Sequence, residues 1–538
     1  MNRIELKNNN GFPWYNLGKL YVKGYLYDLQ DKLYTGDALL YYFGNIRSFP
    51  DFEERVKYAN GSFAVIKEVG DTLYAGSDIA RSTPLFYIQE RENLVISDDA
   101  YYLAGMLPSP NLNNIAAYEY LATGFVTGKE TLVEGLNTLQ AGEIISFRNE
   151  NIKRKFYFSY RTSRVIEEDY PEIRENAIRK LEEAMGMFIA SLDGRTVLVP
   201  LSGGYGSRLL LTLLKKYEYP NIICFTYGRS HSREMKVAGE VAKILDIPWL
   251  KIEYDEAMIK DFMDEDFEKF YKYAAHLSST FSLHDYFAAR HISKEKMVPD
   301  DSIVASAHAG NFLGGSQLYK HSNTLTQEEL KKIARRIYFI KYSYKRPKRA
   351  MREKIMNRIE RSLQEKFTGD KSFAYSIHED WDFKEKLAKL NFNSINAYTY
   401  FGYEFRFPFW DTKLVEFFRN LPLETRLNKY LFDDILANEY FDAFGLNFDN
   451  EIEPDEKAIR RMKIRNKIIF FLPETFKRLY MKLKDEDSVF YREITEYLVR
   501  DMLKEGKKIR VYGTAYNSLI IQWYLNKTIK WIEDKREF

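Results

Sequence analysis

The segment of this chain best suited to chemistry is a glycine-rich run, LSGGYGSR, at residues 201–208. Glycines let the backbone approach a ligand closely, and N–H groups that point inward at the start of a helix attract an anion. Ser202 and Ser207 can add hydroxyl donors to such a cradle. The run lacks the Gly-Lys-Ser/Thr ending of the Walker pattern. It therefore predicts a phosphate site of another kind, or else a tight packing of a strand on a helix.

The elements around this run predict a parallel sheet. Residues 196–201 (TVLVPL) are continuously apolar, which is typical of a strand buried on both faces. A helix over residues 209–217 follows, and the alternation of strand and helix then repeats. The further predicted elements are a strand at 221–226, a helix at 235–245, and strands at 249–252 and 302–306. This order indicates a doubly wound α/β domain.

The segments on either side of this domain have a different character. The first 160 residues or so predict strands with one short helix, which indicates a mixed α+β domain. A long helix begins near Tyr170-Pro171, since proline suits the first turn of a helix. From about residue 320 the pattern is mostly helical.

Length and composition exclude several classes of protein. The chain has 538 residues, enough for several domains, and its formal net charge of +3 gives no indication of a nucleic-acid partner. No stretch approaches the roughly 18 consecutive apolar residues of a membrane span, and the first residues lack an apolar signal region. Cys224 is the single cysteine, which leaves no disulfide and no cysteine-based zinc site. We expect a cytoplasmic protein.

Several motifs, in order, resemble the asparagine synthetase family of ATP-dependent amide-forming ligases. SGGYGSR is similar to the family's pyrophosphate-binding SGGxDS loop, and FTYG at 225–228 is similar to its adenine-contacting segment. SAHAGN at 306–311 resembles the start of the second active-site loop, SGEGADELFGG. EFRFPFWD at 404–411 resembles the E-x-R-x-P-F-x-D segment, and Lys429 stands about where the family has a lysine near the phosphates.

The N-terminal part resembles the glutaminase domain of the same enzymes. The similar segments are NGSFA at 60–64, GDTL at 70–73, Asp78, PLFY at 84–87, SDD at 97–99 and TLVEGL at 131–136. The resemblance implies an Ntn-hydrolase-like αββα sandwich. An α/β domain of the ATP-pyrophosphatase type (adenine nucleotide alpha hydrolase-like) follows, with a helical C-terminal part. The implied domains are residues 1–165, 166–445 and 446–538.

The resemblance also implies which residues bind ATP and carry out the reaction. Lys429 and Arg406 would neutralise developing charge, which is usually the largest catalytic contribution. The residues implied for nucleotide binding are Leu201, Ser202, Gly203, Gly204, Gly206, Ser207, Tyr227, Ser306 and Gly310. The other implied substrate is a small-molecule carboxylate.

The chain departs from the family at positions that carry the chemistry. The glutaminase nucleophile is an N-terminal cysteine, but residue 2 is Asn2 and Cys224 ends a core strand. We therefore expect no glutamine hydrolysis by this chain. Where the family has two magnesium-binding aspartates, this sequence has Gly206, which offers no side-chain ligand, and Asn311, which offers a neutral oxygen. We expect a weakened or absent Mg²⁺ site.

His308 stands where asparagine synthetase has its catalytic glutamate. A histidine can act as a base near neutral pH or can hydrogen-bond the loop, and both roles stay open.

Two functions follow from these residues. In the first, the chain uses ATP to adenylate a carboxylate and forms an amide from ammonia or a substrate amine, without glutaminase activity. In the second, it is a catalytically silent homologue that acts as a binding, scaffold or regulatory protein. The identity of the substrates is left open, as is assembly into a homo-oligomer or with a partner protein.

Overall fold

The computed structural model describes residues 2–319, 325–345, 347–364, 373–447, 487–509 and 516–536. Its first part contains two sheets. The larger sheet has the spatial order Asn151–Phe156, Glu143–Arg148, Thr72–Ser77, Asn60–Val69, Leu20–Tyr27 and Tyr15–Leu17, with Leu33–Thr35 also paired to Leu20–Tyr27. The smaller sheet has the order Arg3–Glu5, Asn93–Ser97, Phe86–Glu90 and Asn137–Thr138. The first two strands of the smaller sheet are parallel, and the other paired strands of both sheets are antiparallel.

Helices cover the outer faces of the two sheets. Ala38–Phe43 and Phe49–Lys57 pack on the larger sheet, and Ala100–Met106 packs on the smaller one. Apolar side chains such as Ile66 and Tyr87 fill the space between the sheets. A further helix of this part is Asn114–Thr123. The layers are helix, sheet, sheet, helix, which confirms the αββα sandwich.

The second part is built on a five-stranded parallel sheet. Its spatial order is Trp249–Glu253, Ile222–Gly228, Val197–Pro200, Ile303–Ala305 and Glu404–Arg406. The four strands predicted from the sequence are confirmed to within two residues of their bounds, and their continuous apolar runs fit burial on both faces. Glu404–Arg406 was not predicted as a strand. Its three residues are too few to show a period, and its partner strand is distant in sequence.

Helices flank this sheet. Their bounds are Tyr170–Ala190, Tyr205–Lys216, Arg233–Ile244, Glu256–Ile259, Glu265–Ala275, Leu283–Lys294 and Gly310–Leu313. The predicted helix Tyr170–Ala190 begins as the sequence indicates, because the Asp169 carboxylate caps it and Pro171 lies in its first turn. Leu181 and Phe188 on its apolar stripe are buried. The doubly wound architecture is therefore confirmed.

The described residues beyond 325 are mostly helical, as predicted. Two helices have π-helical hydrogen bonding, Phe383–Asn391 and Leu436–Phe441. The others are Gln327–Lys341, Arg349–Gln364, Ala374–Asp382, Phe392–Ile395, Asn396–Thr399, Pro408–Trp410, Thr412–Arg419, Leu423–Arg426, Leu427–Lys429, Tyr430–Ile435, Asp442–Phe444, Tyr491–Lys504 and Asn517–Arg536. Within the described part of the chain, no helix combines the length and the apolarity needed to cross a membrane.

One continuous cluster of buried side chains joins the three predicted segments of the chain. It includes Phe12 from the first, Ile252 from the second and Trp523 from the last. Residues 448–486 of the predicted C-terminal extension lie outside the described residues. The domain bounds at 165 and 445 stay predictions.

Candidate active site

A cavity of about 470 Å³ lies beside the carboxyl ends of the central parallel strands, which is where such sheets bind ligands. Its wall contains eight of the residues singled out from the sequence. They are Ser202, Gly204, Gly206, Ser207, Tyr227, Ser306, His308 and Asn311. The fold thus brings three distant segments to one place, which we call the site cavity.

The glycine-rich loop is closed on itself by its two serines. The N–H of Ser202 donates to Ser207 Oγ at 3.2 Å, and the two hydroxyl oxygens are 3.2 Å apart. Ser202 Oγ also accepts from the N–H of Gly204 at 3.3 Å. Gly204 is the N-cap of the loop helix, Tyr205–Lys216. Because the first N–H groups of a helix have no partner within it, this end of the loop helix favours an anion.

The second loop, residues 306–311, lies against the glycine-rich loop. A β-carbon placed on Gly206 would lie 3.3 Å from the Ala307 carbonyl oxygen and 3.5 Å from Ala307 Cβ. A side chain at position 206 therefore fits only if the second loop gives way by a few tenths of an ångström. Asn311 lies on the short helix that continues this loop. Both departures from the family pattern, Gly206 and Asn311, thus line the site cavity.

His308 lies on the cavity wall and is held by two hydroxyl groups. Its Nε2 is 2.8 Å from Ser394 Oγ, and its backbone N–H donates to Ser306 Oγ at 3.4 Å. Burial lowers the pKa of His308, so the neutral imidazole predominates at neutral pH. A neutral imidazole can accept a proton and can also hold the loop, so both predicted roles remain open.

Five predicted site residues lie outside the cavity wall. They are Leu201, Gly203, Gly310, Arg406 and Lys429. Leu201 and Gly310 are buried, and a β-carbon placed on Gly203 would lie 3.8 Å from Glu234 Cα. Their implied part in nucleotide binding stays a prediction.

Arg406 is buried at the contact between the two parts of the chain. Its guanidinium donates to the hydroxyl and the carbonyl oxygen of Ser191 at 3.0 Å each, and to Glu404 at 3.2 Å. Its charged carbon lies 4.0 Å from the centre of the Tyr25 ring. These contacts tie the edge strand Glu404–Arg406 to the N-terminal sheet. They give Arg406 a structural role, and its implied role in catalysis stays a prediction.

Lys429 lies beside the start of the loop helix. Its Nζ is 5.4 Å from the centre of the Tyr205 ring and 3.1 Å from Asp433 Oδ2. Tyr205 belongs to the glycine-rich loop, so Lys429 stands near that loop, as the resemblance implies. Its role at the phosphates stays a prediction.

Asp285 is a cavity residue that sequence reasoning missed. Its Oδ1 accepts from the hydroxyls of Tyr227 at 2.7 Å and Tyr398 at 2.9 Å, and its Oδ2 accepts from Ser282 Oγ. Burial opposes ionisation, but the nearby His284 and these three hydroxyls lower the pKa of Asp285. The ionised carboxylate therefore fixes the Tyr227 ring on the cavity wall. Its serine-to-aspartate spacing at a helix start gives only a capping signal, which is common.

The C-terminal segment, residues 487–491, also reaches the site, which the sequence did not predict. The Tyr491 hydroxyl hydrogen-bonds His284 Nδ1, and His284 lines the cavity. The N–H of Arg229, at the end of the second strand, donates to the Ser488 carbonyl at 2.8 Å. A part of the chain outside the family-like motifs thus supports the cavity wall.

Two charged residues of the cavity wall come from consecutive helices. Asp382 ends the helix Ala374–Asp382, and Lys386 lies on the π-helix Phe383–Asn391. Asp382 forms an ion pair with Lys341 at 2.6 Å, with side-chain exposures of 3% and 6% respectively. Lys386 also lines the cavity, and no described residue forms an ion pair or hydrogen bond with it. Neither Asp382 nor Lys386 belongs to a motif of the sequence, and so neither was predicted.

Comparison with known proteins agrees with this geometry. Residues 181–439 match the asparagine synthase family model. The match covers a little under half of the chain and includes both loops of the site cavity. It supports an ATP-dependent amidation or ligase role. No protein with curated annotation matches the sequence.

Three solved structures are similar to parts of the chain. An NH3-dependent NAD synthetase of Campylobacter jejuni has 17% identity, with 38% of this chain and 97% of that chain covered and a TM-score of 0.20. A glutamine phosphoribosylpyrophosphate amidotransferase of B. subtilis has 10% identity, with 55% and 62% covered and a TM-score of 0.18. A U34-tRNA thiolase of Methanococcus maripaludis has 15% identity, with 40% and 80% covered and a TM-score of 0.19.

The donors in the site cavity do not fit the Mg²⁺ of asparagine synthase. Mg²⁺ in nucleotide sites is bound by one or two carboxylates together with phosphate oxygens. Gly206 and Asn311 supply no carboxylate, Asp285 is engaged by three hydroxyls, and Asp382 is paired with Lys341. Across the described ranges, no group of three or more His, Cys, Asp or Glu side chains could hold a metal ion.

Proposed function

We propose that the chain is an ATP-dependent ligase that adenylates a small-molecule carboxylate and converts it to an amide with ammonia or a substrate amine. The observation that carries this proposal is the site cavity itself. It unites an anion-attracting glycine-rich loop, Tyr227 and the second loop, all inside the region that matches the asparagine synthase model. Its volume of about 470 Å³ is in the range of small-molecule sites.

The proposed reaction has two steps. In the first, a carboxylate oxygen of the substrate attacks the α-phosphorus of ATP, and the bond to the β-phosphate oxygen breaks to release pyrophosphate. In the second, the amine nitrogen attacks the acyl carbon, AMP leaves with its oxygen, and the nitrogen loses one proton. The neutral His308 on the wall is a suitable acceptor for that proton.

The geometry of the wall supports the following binding roles. The backbone and hydroxyls of Ser202, Gly204 and Ser207 would hold phosphate groups at the start of the loop helix. Tyr227 and Ser306 would flank the nucleoside. The carboxylate of Asp285 holds the Tyr227 ring in place through its hydroxyl.

In this proposal the amine does not come from glutamine hydrolysed by this chain. Cys224, the one cysteine of the sequence, is fully buried in the parallel sheet. Burial raises the pKa of its thiol to about 12, so it is not a nucleophile at neutral pH. The amine then comes from solution, from another protein or from the substrate.

The first test is calorimetry of ATP binding, followed by a screen of carboxylates for ATP-dependent pyrophosphate release. We expect Ser202→Ala to weaken ATP binding by about tenfold or more, because it removes a hydroxyl that serves the phosphate loop. Ser109→Ala, on an exposed turn, is the matched control and should bind as the native chain does. Native binding without a difference between these variants would place ATP elsewhere and refute the proposal.

The alternative is a catalytically silent homologue, which the absence of carboxylates at positions 206 and 311 favours. The double variant Gly206→Asp/Asn311→Asp separates the two functions. Pyrophosphate release by the native chain supports the ligase. Release only by the double variant supports the silent homologue.

A further inference from the structure

The charges on the cavity wall are unevenly compensated. Asp285 accepts hydrogen bonds from three neutral hydroxyls, and Asp382 forms an ion pair with Lys341. The imidazole of His308 is neutral because of its burial. Among the described wall residues, Lys386 is the lysine with no ion-pair or hydrogen-bond partner.

The position of Lys386 on the π-helix is distinctive. The same helix carries Lys384, buried and paired with Asp380 at 3.2 Å, and Lys389, buried and paired with Glu385 at 2.6 Å. Each of those lysines bonds to an acid four residues earlier. The residue four before Lys386 is Asp382, which pairs instead with Lys341. Lys386 is therefore the one lysine of this helix that is left for a ligand in the cavity.

A second cation lies close behind it. Burial lowers the pKa of Lys341, Asp382 opposes this, and the positive charge of Lys386 lowers it further. Lys341 also donates to Gln317 Oε1 at 3.0 Å, and Gln317 lines the cavity. Around Asp382, the ammonium of Lys386 therefore stands beside a Lys341–Asp382 pair whose charges already balance, and this part of the wall favours an anionic group.

We propose that the site cavity binds the triphosphate of ATP without Mg²⁺, with the Lys386 ammonium and the N-terminus of the loop helix as the neutralising charges. This inference rests on the proposed function and changes its metal requirement. Mg²⁺ in nucleotide sites is held by one or two carboxylates together with phosphate oxygens, and positions 206 and 311 hold glycine and asparagine, which supply no carboxylate. The ammonium of Lys386 is part of the chain and needs no carboxylate ligands at these positions to be held there. With free ATP carrying the full negative charge, its attraction to Lys386 is stronger than that of the magnesium complex.

The test is calorimetry of ATP binding to the full chain in EDTA and in excess Mg²⁺. We expect binding in EDTA to be at least as tight as binding with Mg²⁺. Lys386→Met should weaken binding in EDTA by about 10- to 100-fold, the range for one hydrogen bond to a charged group. Lys386→Arg keeps the charge and should retain most of the affinity.

Lys331→Met is the matched control, since Lys331 is exposed on the helix Gln327–Lys341 and is not part of the wall. Circular dichroism of each variant checks that it folds. ATP binding that requires Mg²⁺ would overturn this inference while leaving the ligase proposal intact. Equal affinity in the native chain and in folded Lys386→Met would also overturn it. Failure to bind ATP under both conditions would refute the proposed function itself.

Discussion

Gly228 is the last residue of the second parallel strand and lies against the C-terminal segment. Its replacement tests whether that segment supports the site. Its φ is +120°, where L side chains are rarely found, and a β-carbon there would lie 2.2 Å from the Ser488 carbonyl oxygen. That oxygen accepts the 2.8 Å hydrogen bond from the N–H of Arg229. In Gly228→Ala the backbone at Ser488 must move by about 1 Å to reach an ordinary carbon–oxygen contact.

The expected effect has two parts. Forcing alanine into this φ costs about 1–3 kcal/mol in unfolding free energy. Arg229 also forms an ion pair with Asp487 at 3.2 Å. Displacing Ser488 loses its hydrogen bond and weakens this ion pair, which adds about 1–3 kcal/mol. Gly402 provides the comparison that separates the two parts, because its φ is +94° and no atom lies within 4 Å of the place where a β-carbon would stand. Gly402→Ala should therefore cost only the first part.

Urea denaturation measures both variants, and hydrogen exchange of the amides in residues 487–504 shows where the loss occurs. We expect faster exchange there in Gly228→Ala and native exchange in Gly402→Ala. Because Tyr491 of this segment holds His284 on the wall, ATP binding should weaken in Gly228→Ala alone. Equal destabilisation in the two variants, or unchanged exchange in Gly228→Ala, would refute the reasoning.

Three further outcomes are expected. Burial raises the pKa of the Cys224 thiol to about 12, so it should resist a thiol reagent at pH 8 until the chain unfolds; rapid labelling of the native state would contradict this. Tyr398→Phe removes one of three hydroxyls from Asp285 and should lower the unfolding free energy by about 1.5–3 kcal/mol, whereas the exposed Tyr41→Phe should not. The pKa of Asp285 is lowered below its ordinary value of 3.8, so its stabilisation is present above about pH 4 and is lost as the pH falls further. The stability gap between the native chain and Asp285→Asn should therefore shrink between pH 6 and pH 3 in urea titrations, and a constant gap would show that this carboxylate is not responsible.

The predicted elements succeeded where the signal is local. The buried strands are continuous apolar runs, and Asp169 with Pro171 marks the start of a long helix. The edge strand Glu404–Arg406 was not predicted, because its signal is not local. Three residues carry no period, and what makes them a strand is pairing with Ile303–Ala305, about a hundred residues earlier.

The site shows the same division. The glycine-rich loop and the second loop were found because each motif is contiguous. Seven of the predicted residues in these two loops, together with Tyr227, line one cavity. The resemblance implies a catalytic role for Arg406 because this residue lies in a family-like segment, and that role stays a prediction. In the structure, the guanidinium of Arg406 donates to Ser191 and lies over the Tyr25 ring.

The amino-acid sequence by itself determined the parallel strands, the glycine-rich loop, the resemblance to the asparagine synthetase family, and the presence of Gly206 and Asn311 where that resemblance implies metal-binding aspartates. These are properties of single segments. They can be predicted from the sequence because backbone conformation and motif identity depend on residues that are close in the chain. Only the tertiary structure decided that Asp285, Lys386 and Tyr491 belong to the site. Burial, pairing and free charge depend on which distant segments pack together, and no spacing along the chain encodes those contacts.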